Sequence, residues 1–150
     1  MNTATSKTSE EALIRQVMDN WVTALKAKDI DRMMSNYTPD VLVFGVTPPL
    51  QYDGATEYRK KWEEMFNSME GPIGYESRDL TITTGSDLAF SRCLNRISAR
   101  IKGGKESDEL PWMRVTLCFK KIDGKWLVTH EHASVPFYVE SGKSSLDLEP

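Results

Sequence analysis

The stretch Arg114–Ser134, RVTLCFKKIDGKWLVTHEHAS, decides the fold class. Two runs rich in Val, Thr, Leu, Phe and Trp flank Ile122-Asp123-Gly124, the composition of two strands joined by a tight turn. The stretch also holds both histidines, one of the two cysteines and one of the four tryptophans, so the hairpin is expected to supply one wall of any site. Two turns fit these residues. A two-residue turn at Asp123-Gly124 pairs Ile122 with Lys125. A three-residue loop over Ile122-Asp123-Gly124, with Gly124 left-handed as a bulge, pairs Lys121 with Lys125 instead. The three-residue loop is the favoured reading.

That register sorts the side chains. One face collects Val115, Leu117, Phe119, Leu127 and Thr129, with Glu131 as its single carboxylate. The other takes Trp112, Cys118, Trp126 and Val128, and sets Arg114 opposite His132 and Thr116 opposite His130. With a two-residue turn the partition fails.

Working back from the hairpin, Leu88–Ile101 reads as a long strand, Gly85-Ser86-Asp87 as a turn and Glu76–Thr84 as the strand before it. Lys102–Asp108 is a polar loop. The first half has a different period. Thr8-Ser9-Glu10-Glu11 is a capping box, and Leu13, Val17, Trp21 and Leu25 follow at steps of four, a helix running to about Lys28. Asp29 caps a shorter helix with Ile30, Met33 and Met34, which stops near Tyr37-Thr38 ahead of Pro39. Val41–Val46 is a short strand. A third helix opens at Asp53-Gly54, carries Tyr58, Trp62, Met65, Phe66 and Met69, and closes at Gly71-Pro72. Helices first and consecutive antiparallel strands last is an α+β arrangement, not the alternation of a parallel α/β sheet.

A chain of 150 residues supports one domain with a real core. The organisation expected is a disordered N-terminus over 1–8, one domain over 9–138 and a disordered tail over 139–150. A net charge of −3 leaves no basic footprint for nucleic acid or an anionic membrane. No apolar run approaches the ~18 residues that cross a bilayer, and Met1–Lys7 lacks the apolar core of a secretory signal. A cytoplasmic protein is expected. Cys93 and Cys118 lie in apolar runs and read as free thiols, with a disulfide left open should the two strands be neighbours.

Two amphipathic helices, a short strand, a third helix and a meander ending in Asp123-Gly124-Lys125-Trp126 and His130-Glu131-His132 resemble the nuclear transport factor 2-like superfamily, in particular its SnoaL-like and ketosteroid-isomerase-like members. The end of the pattern is also similar to the association domain of calcium/calmodulin-dependent kinase II. The resemblance spans about Ser9 to Pro136. It implies a cone: a curved antiparallel sheet around a cavity closed by three N-terminal helices, commonly dimeric through the convex side.

Aligned through Ala24-Leu25 and Asp29-Ile30-Asp31, the isomerase comparison puts Trp21 at the tyrosine of the oxyanion hole and Gly45 at the general base. Val115 or Thr116 falls where those enzymes carry an aspartic acid, and Trp62 near another pocket aromatic. The isomerase machinery is therefore missing. The kinase-hub comparison implies a pocket arginine at Arg92, while its other two arginines fall on Leu117 and Ala133.

These readings converge on candidate residues. Glu131, alone in an apolar face, would have its pKa raised by desolvation and could move a proton near neutrality. Arg92, sharing a face with Phe90 and Leu94, is expected beside it as charge stabiliser, or as its partner in a purely structural ion pair. Trp21, Tyr37, Trp62, Phe90, Val115, Leu117 and Thr129 are expected to line the pocket, while Phe44 reads as either core or lining. His130 and His132 share a strand face at a spacing that suits a metal, yet no third histidine exists, and no metal or organic cofactor is expected. They read instead, with Trp112 and Arg114, as polar groups of a subunit interface. The function expected is cofactor-free acid–base chemistry on a small organic molecule, or alternatively a silent oligomerisation or ligand-sensing module.

Overall fold

The structure, a computed structural model, describes residues 3–104 and 109–150, and of residues 3–8 the backbone only. Met1, Asn2 and the 105–108 part of the expected polar loop lie outside the described residues. Helix α1 spans Thr3–Ala27, so it begins ahead of the expected capping box and takes in residues 3–8, expected to be disordered. Ile14, Ala24 and Leu25 are its fully buried side chains, with Val17, Met18 and Trp21 partly covered. Leu13 is instead an exposed side chain. At 3.6 residues per turn, steps of four drift off the face that 14, 17, 21, 24 and 25 hold.

Helix α2, Ile30–Met34, is capped by Asp29, which accepts the Arg32 backbone N–H at 3.0 Å. The chain enters strand β1, Tyr37–Phe44, and β2, Tyr52–Asp53, folds back on it. Helix α3, Ala55–Ser68, buries Tyr58, Trp62 and Phe66, one side chain per turn. It gives way at Met69 to β3, Met69–Thr84, so Gly71-Pro72 lies inside a strand and does not end the helix. Strands β4, Leu88–Ile101, β5, Met113–Ile122, and β6, Lys125–Ser134, complete the sheet.

The strand order is β2-β1-β6-β5-β4-β3, and neighbours are antiparallel except at the parallel β1–β6 seam. Register shifts in β3–β4, β5–β6 and β1–β6 bend the sheet around the helices. The result is an α+β fold with a curved six-stranded sheet. Phe119, Ile14, Leu25, Met33, Val41 and Val43 form its driest core. Glu10 of α1 fastens the hairpin to that core by accepting from the Lys121 ammonium (2.9 Å) and the Trp126 indole N–H (2.6 Å).

The hairpin turn is the two-residue one. Asp123 and Gly124 both have left-handed backbones, φ 51° and 79°, and Ile122 pairs with Lys125. That primed turn matches the twist of its strands, and Asp and Gly both tolerate the conformation. Near the turn the expected partition is therefore inverted, and Trp126 and Val128 are buried. The register then shifts once: Phe119 faces Val128 but Cys118 faces His130, leaving Thr129 as an extra, bulged residue. Beyond the bulge Glu131 faces Leu117, His132 faces Thr116 and Ser134 faces Arg114. Arg114 and Thr116 are thus each two residues away from their expected partners.

After β6 the chain folds back on itself. Phe137 bridges to Ser144, the Ser145 backbone N–H donates to the Pro136 carbonyl at 2.8 Å, and the Trp112 indole N–H donates to Glu149 at 3.0 Å. The segment 139–150, expected to be disordered, is tied to the sheet by these contacts. Among the described residues no helix is long and apolar enough to cross a membrane.

Candidate functional site

Glu131 projects from β6 toward the helices, in register with Val43 on one side and Leu117 on the other. Its Oε2 accepts two hydrogen bonds, each 3.1 Å, from the hydroxyls of Tyr37 on β1 and Tyr58 on α3. The two rings meet edge to face, 5.5 Å apart. Burial pushes the Glu131 carboxyl above its ordinary range, and the two tyrosine donors pull it part of the way back. Burial, then the charge of Glu131, drives both phenols well above their own ordinary range. Both therefore remain O–H donors throughout the neutral range.

Behind each tyrosine stands an indole. Trp21 and Trp62 pack edge to face at 5.5 Å, and Trp62 lies against Tyr58 at 6.2 Å. Their indole N–H groups lean on the Tyr37 and Tyr58 hydroxyls closely enough to favour the ionised phenols somewhat. Neither makes a hydrogen bond of good geometry, and both are buried.

Glu131 lines two chambers. The larger, about 360 Å³, is walled by Trp21, Tyr58, Trp62, Asn95 and Val115 and by an apolar set including Met65, Met69, Ile97, Ile101 and Met113, with Lys61 at its edge. That is the size and character of a site for a small organic ligand. The smaller, about 40 Å³, shares Trp21, Asn95, Val115 and Glu131 and adds Tyr37, Tyr75, Cys93, Leu117 and Phe119.

Trp21, Tyr37, Trp62, Val115 and Leu117 thus stand at the chambers. Other candidates do not. Along β4 the buried side chains are Ala89, Ser91, Cys93, Asn95, Ile97 and Ala99, so Phe90 and Arg92 occupy the outer face, and Phe90 is 46% exposed. Arg92 sits with Asp79, Arg114 and Thr116 on that face, and no Arg92–Glu131 pair exists. The small residues of β4 belong to the concave side, where the helices crowd the sheet, and the bulkier Phe90 and Leu94 to the convex side. Thr129, the bulged residue, lines neither chamber.

On the outer face Phe44 packs edge-on to His130 (4.9 Å) and His132 (5.4 Å), and His130 donates from Nδ1 to the Leu42 carbonyl at 2.7 Å. Trp112, expected at a rim or subunit contact, is buried beneath the guanidinium groups of Arg96 (4.8 Å) and Arg78 (5.5 Å). Cys93 faces inward and Cys118 does not share its face; both are free thiols.

Two residues escaped the sequence reading as site groups. Tyr58 was legible only as one more member of the apolar stripe of α3, although a buried tyrosine needs a partner for its hydroxyl. Asn95 carried a similar signal, a polar residue in phase with Ile97 and Ala99.

A family model described as the SnoaL-like domain matches residues 14–138. Among solved structures, an NTF2-like protein of unknown function from Pseudomonas putida KT2440 is 34% identical, with a TM-score of 0.86 over 95% of this chain and 98% of its own. A ketosteroid isomerase-like protein from Erwinia carotovora atroseptica is 21% identical, with a TM-score of 0.69 over 82% of this chain and 93% of its own. A protein described as a candidate scytalone dehydratase from Novosphingobium aromaticivorans is 17% identical, with a TM-score of 0.77 over 99% and 100%. The last two establish likeness of fold alone. Among curated proteins, none matches the chain.

Proposed function

The chain belongs to the SnoaL-like domain family, and we propose that it binds a small, largely apolar organic molecule and acts on it by cofactor-free acid–base chemistry, with Glu131 as the proton carrier. One observation carries this reading: a buried carboxylate, held by two tyrosine hydroxyls, stands in the wall of a mostly apolar chamber of about 360 Å³. A carboxyl whose pKa is raised by burial keeps its proton to higher pH than a solvated one and can still give it up, which general acid–base catalysis requires. Tyr58 lines the same chamber and takes the stabilising role first expected of Arg92. Its one hydroxyl proton, given to Glu131 in the resting site, can turn to an oxygen on which negative charge develops once Glu131 has taken up the substrate's proton.

Isomerisation, cyclisation, dehydration and hydrolysis all fit a single proton carrier among apolar walls. Two free thiols suit a reducing, cytoplasmic setting. A panel of small ketones, lactones and hydroxy acids, screened first for stabilisation of the fold, would supply a substrate. On that substrate Glu131→Gln should reduce kcat about 10²–10⁴-fold without loss of the folded state by circular dichroism. An unchanged kcat would remove Glu131 from the mechanism.

A second reading, a silent assembly module, draws on the outer sheet face, where Leu88 and Phe90 are exposed beside Arg92, Arg114, Thr116 and His132. We propose self-association of two copies through this face under either reading. Light scattering should give twice the chain mass at micromolar concentration, and Phe90→Lys should halve it. A monomeric wild type would sink the interface.

A further inference from the structure

The small chamber beside Glu131 is unused by substrate binding, since about 40 Å³ is too little for an organic ligand. It is ample for water, which needs about 10–15 Å³ and two to four polar partners. Glu131 and Asn95 both face it, and Asn95 is over nine-tenths buried. The Asn95 Oδ1 accepts no hydrogen bond from the protein, while its Nδ2 reaches only the Tyr75 hydroxyl, at 3.4 Å. Turning the amide over exchanges the two atoms and still leaves one of them without a protein partner. A buried polar atom left in this state is costly, and one water can donate to the Asn95 amide and to the Glu131 carboxylate together.

We propose that the small chamber is a water-binding site whose water carries protons between Glu131 and solvent while the large chamber is filled. The inference rests on the reading of Glu131 as proton carrier and adds the route by which the carrier is reset. Glu131 borders both chambers, so a proton taken from substrate on one side can leave from the other. The carboxyl passes its proton to the chamber water as that water gives one to a solvent water entering past Val17, Met18 and Tyr75, and no electrons move. Val17, Met18 and Tyr75, in the wall of the small chamber, are only partly buried, so solvent reaches the outside of that wall. Substrate would otherwise seal the carboxyl from any proton acceptor, because the remaining walls of the large chamber are mostly apolar.

Crystals of the full chain diffracting well enough to place waters should show one within hydrogen-bonding distance of both Glu131 and Asn95. Asn95→Leu keeps the branched shape and removes the partner; it should lose that water and raise the proton affinity of Glu131 about tenfold, read by NMR titration of carbon-13-labelled glutamate side chains. Asn95→Ser, smaller and still polar, should keep the water and titrate like the wild type. Absence of the water from the wild-type crystals overturns the proposal, whatever the variants do. So does an Asn95→Leu protein that titrates like the wild type. None of these measurements needs a substrate, so their failure would leave the catalytic reading of Glu131 intact. A fully active Glu131→Gln, conversely, would remove the carrier and leave the water site.

Discussion

Moving a carboxylate out of water costs more than one neutral hydrogen bond returns, which is why Glu131 has two donors on one oxygen. Even so, burial outweighs the donors and the pKa stays raised. The consequence for stability has a definite sign. The folded state binds the Glu131 proton more tightly than the unfolded chain, whose ordinary value is 4.5. Its contribution is therefore fully present below pH 4.5 and is lost as the pH rises through the folded value. Glu131→Gln, which cannot ionise, escapes that loss. Chemical denaturation of both proteins between pH 4 and 8 should show the wild type losing stability relative to Glu131→Gln as the pH climbs. A difference independent of pH would mean that the carboxyl is not desolvated in the fold. Tyr37 and Tyr58 do not disturb this window, because their phenols are pushed up and away from it.

At the scale of the element, the hairpin explains why Glu131 faces inward in both the expected register and the observed one. The three-residue loop expected at Ile122-Asp123-Gly124 and the two-residue turn observed differ by one residue, and a one-residue slip exchanges the faces of a strand. Trp126 and Val128 accordingly lie on the side opposite to the one expected. The bulge at Thr129 adds a second slip, and alternation beyond it returns to the original phase. The long helical stripes and strands were legible because periodicity extends over many residues; a bulge is a single residue with no composition of its own. Arg92 failed for another reason. Alternation along β4 fixes which residues share a face, but choosing the inner one required knowing that the concave side takes small residues, and the apolar Phe90 and Leu94 pointed the wrong way. The bulge itself makes a prediction. Thr129 is the extra residue, so deleting it should leave Cys118 opposite His130 and Leu117 opposite Glu131. The deletion variant should lose about 1–2 kcal/mol from the flattened bend while its Glu131 still titrates high by NMR. A Glu131 returned to the ordinary carboxylate range would show that the bulge is needed to aim it inward.

For the whole molecule, the site is a polar cluster between two mostly apolar layers, the curved sheet and the helices α1, α2 and α3. Tyr37, Tyr58 and Glu131 come from β1, α3 and β6, so the cluster ties together elements distant in sequence, and the fold bears its cost through the apolar core around it. Buried polar clusters of this kind are poor stabilisers, because dispensing with all members at once removes the desolvation penalty along with the hydrogen bonds. Removing one member is worse, since the others are left unsatisfied. The triple variant Glu131→Leu, Tyr37→Phe, Tyr58→Phe keeps the approximate volume and leaves none of the three polar groups. It should be at least as stable as the wild type at pH 8 in urea denaturation, with a gain of up to about 1–4 kcal/mol, and Tyr58→Phe alone should be less stable by about 1–2 kcal/mol. The triple variant should also have no turnover on any substrate of the wild type. A triple variant well below the wild type in stability would mean that the cluster holds the three elements together and is kept for structure, not for chemistry.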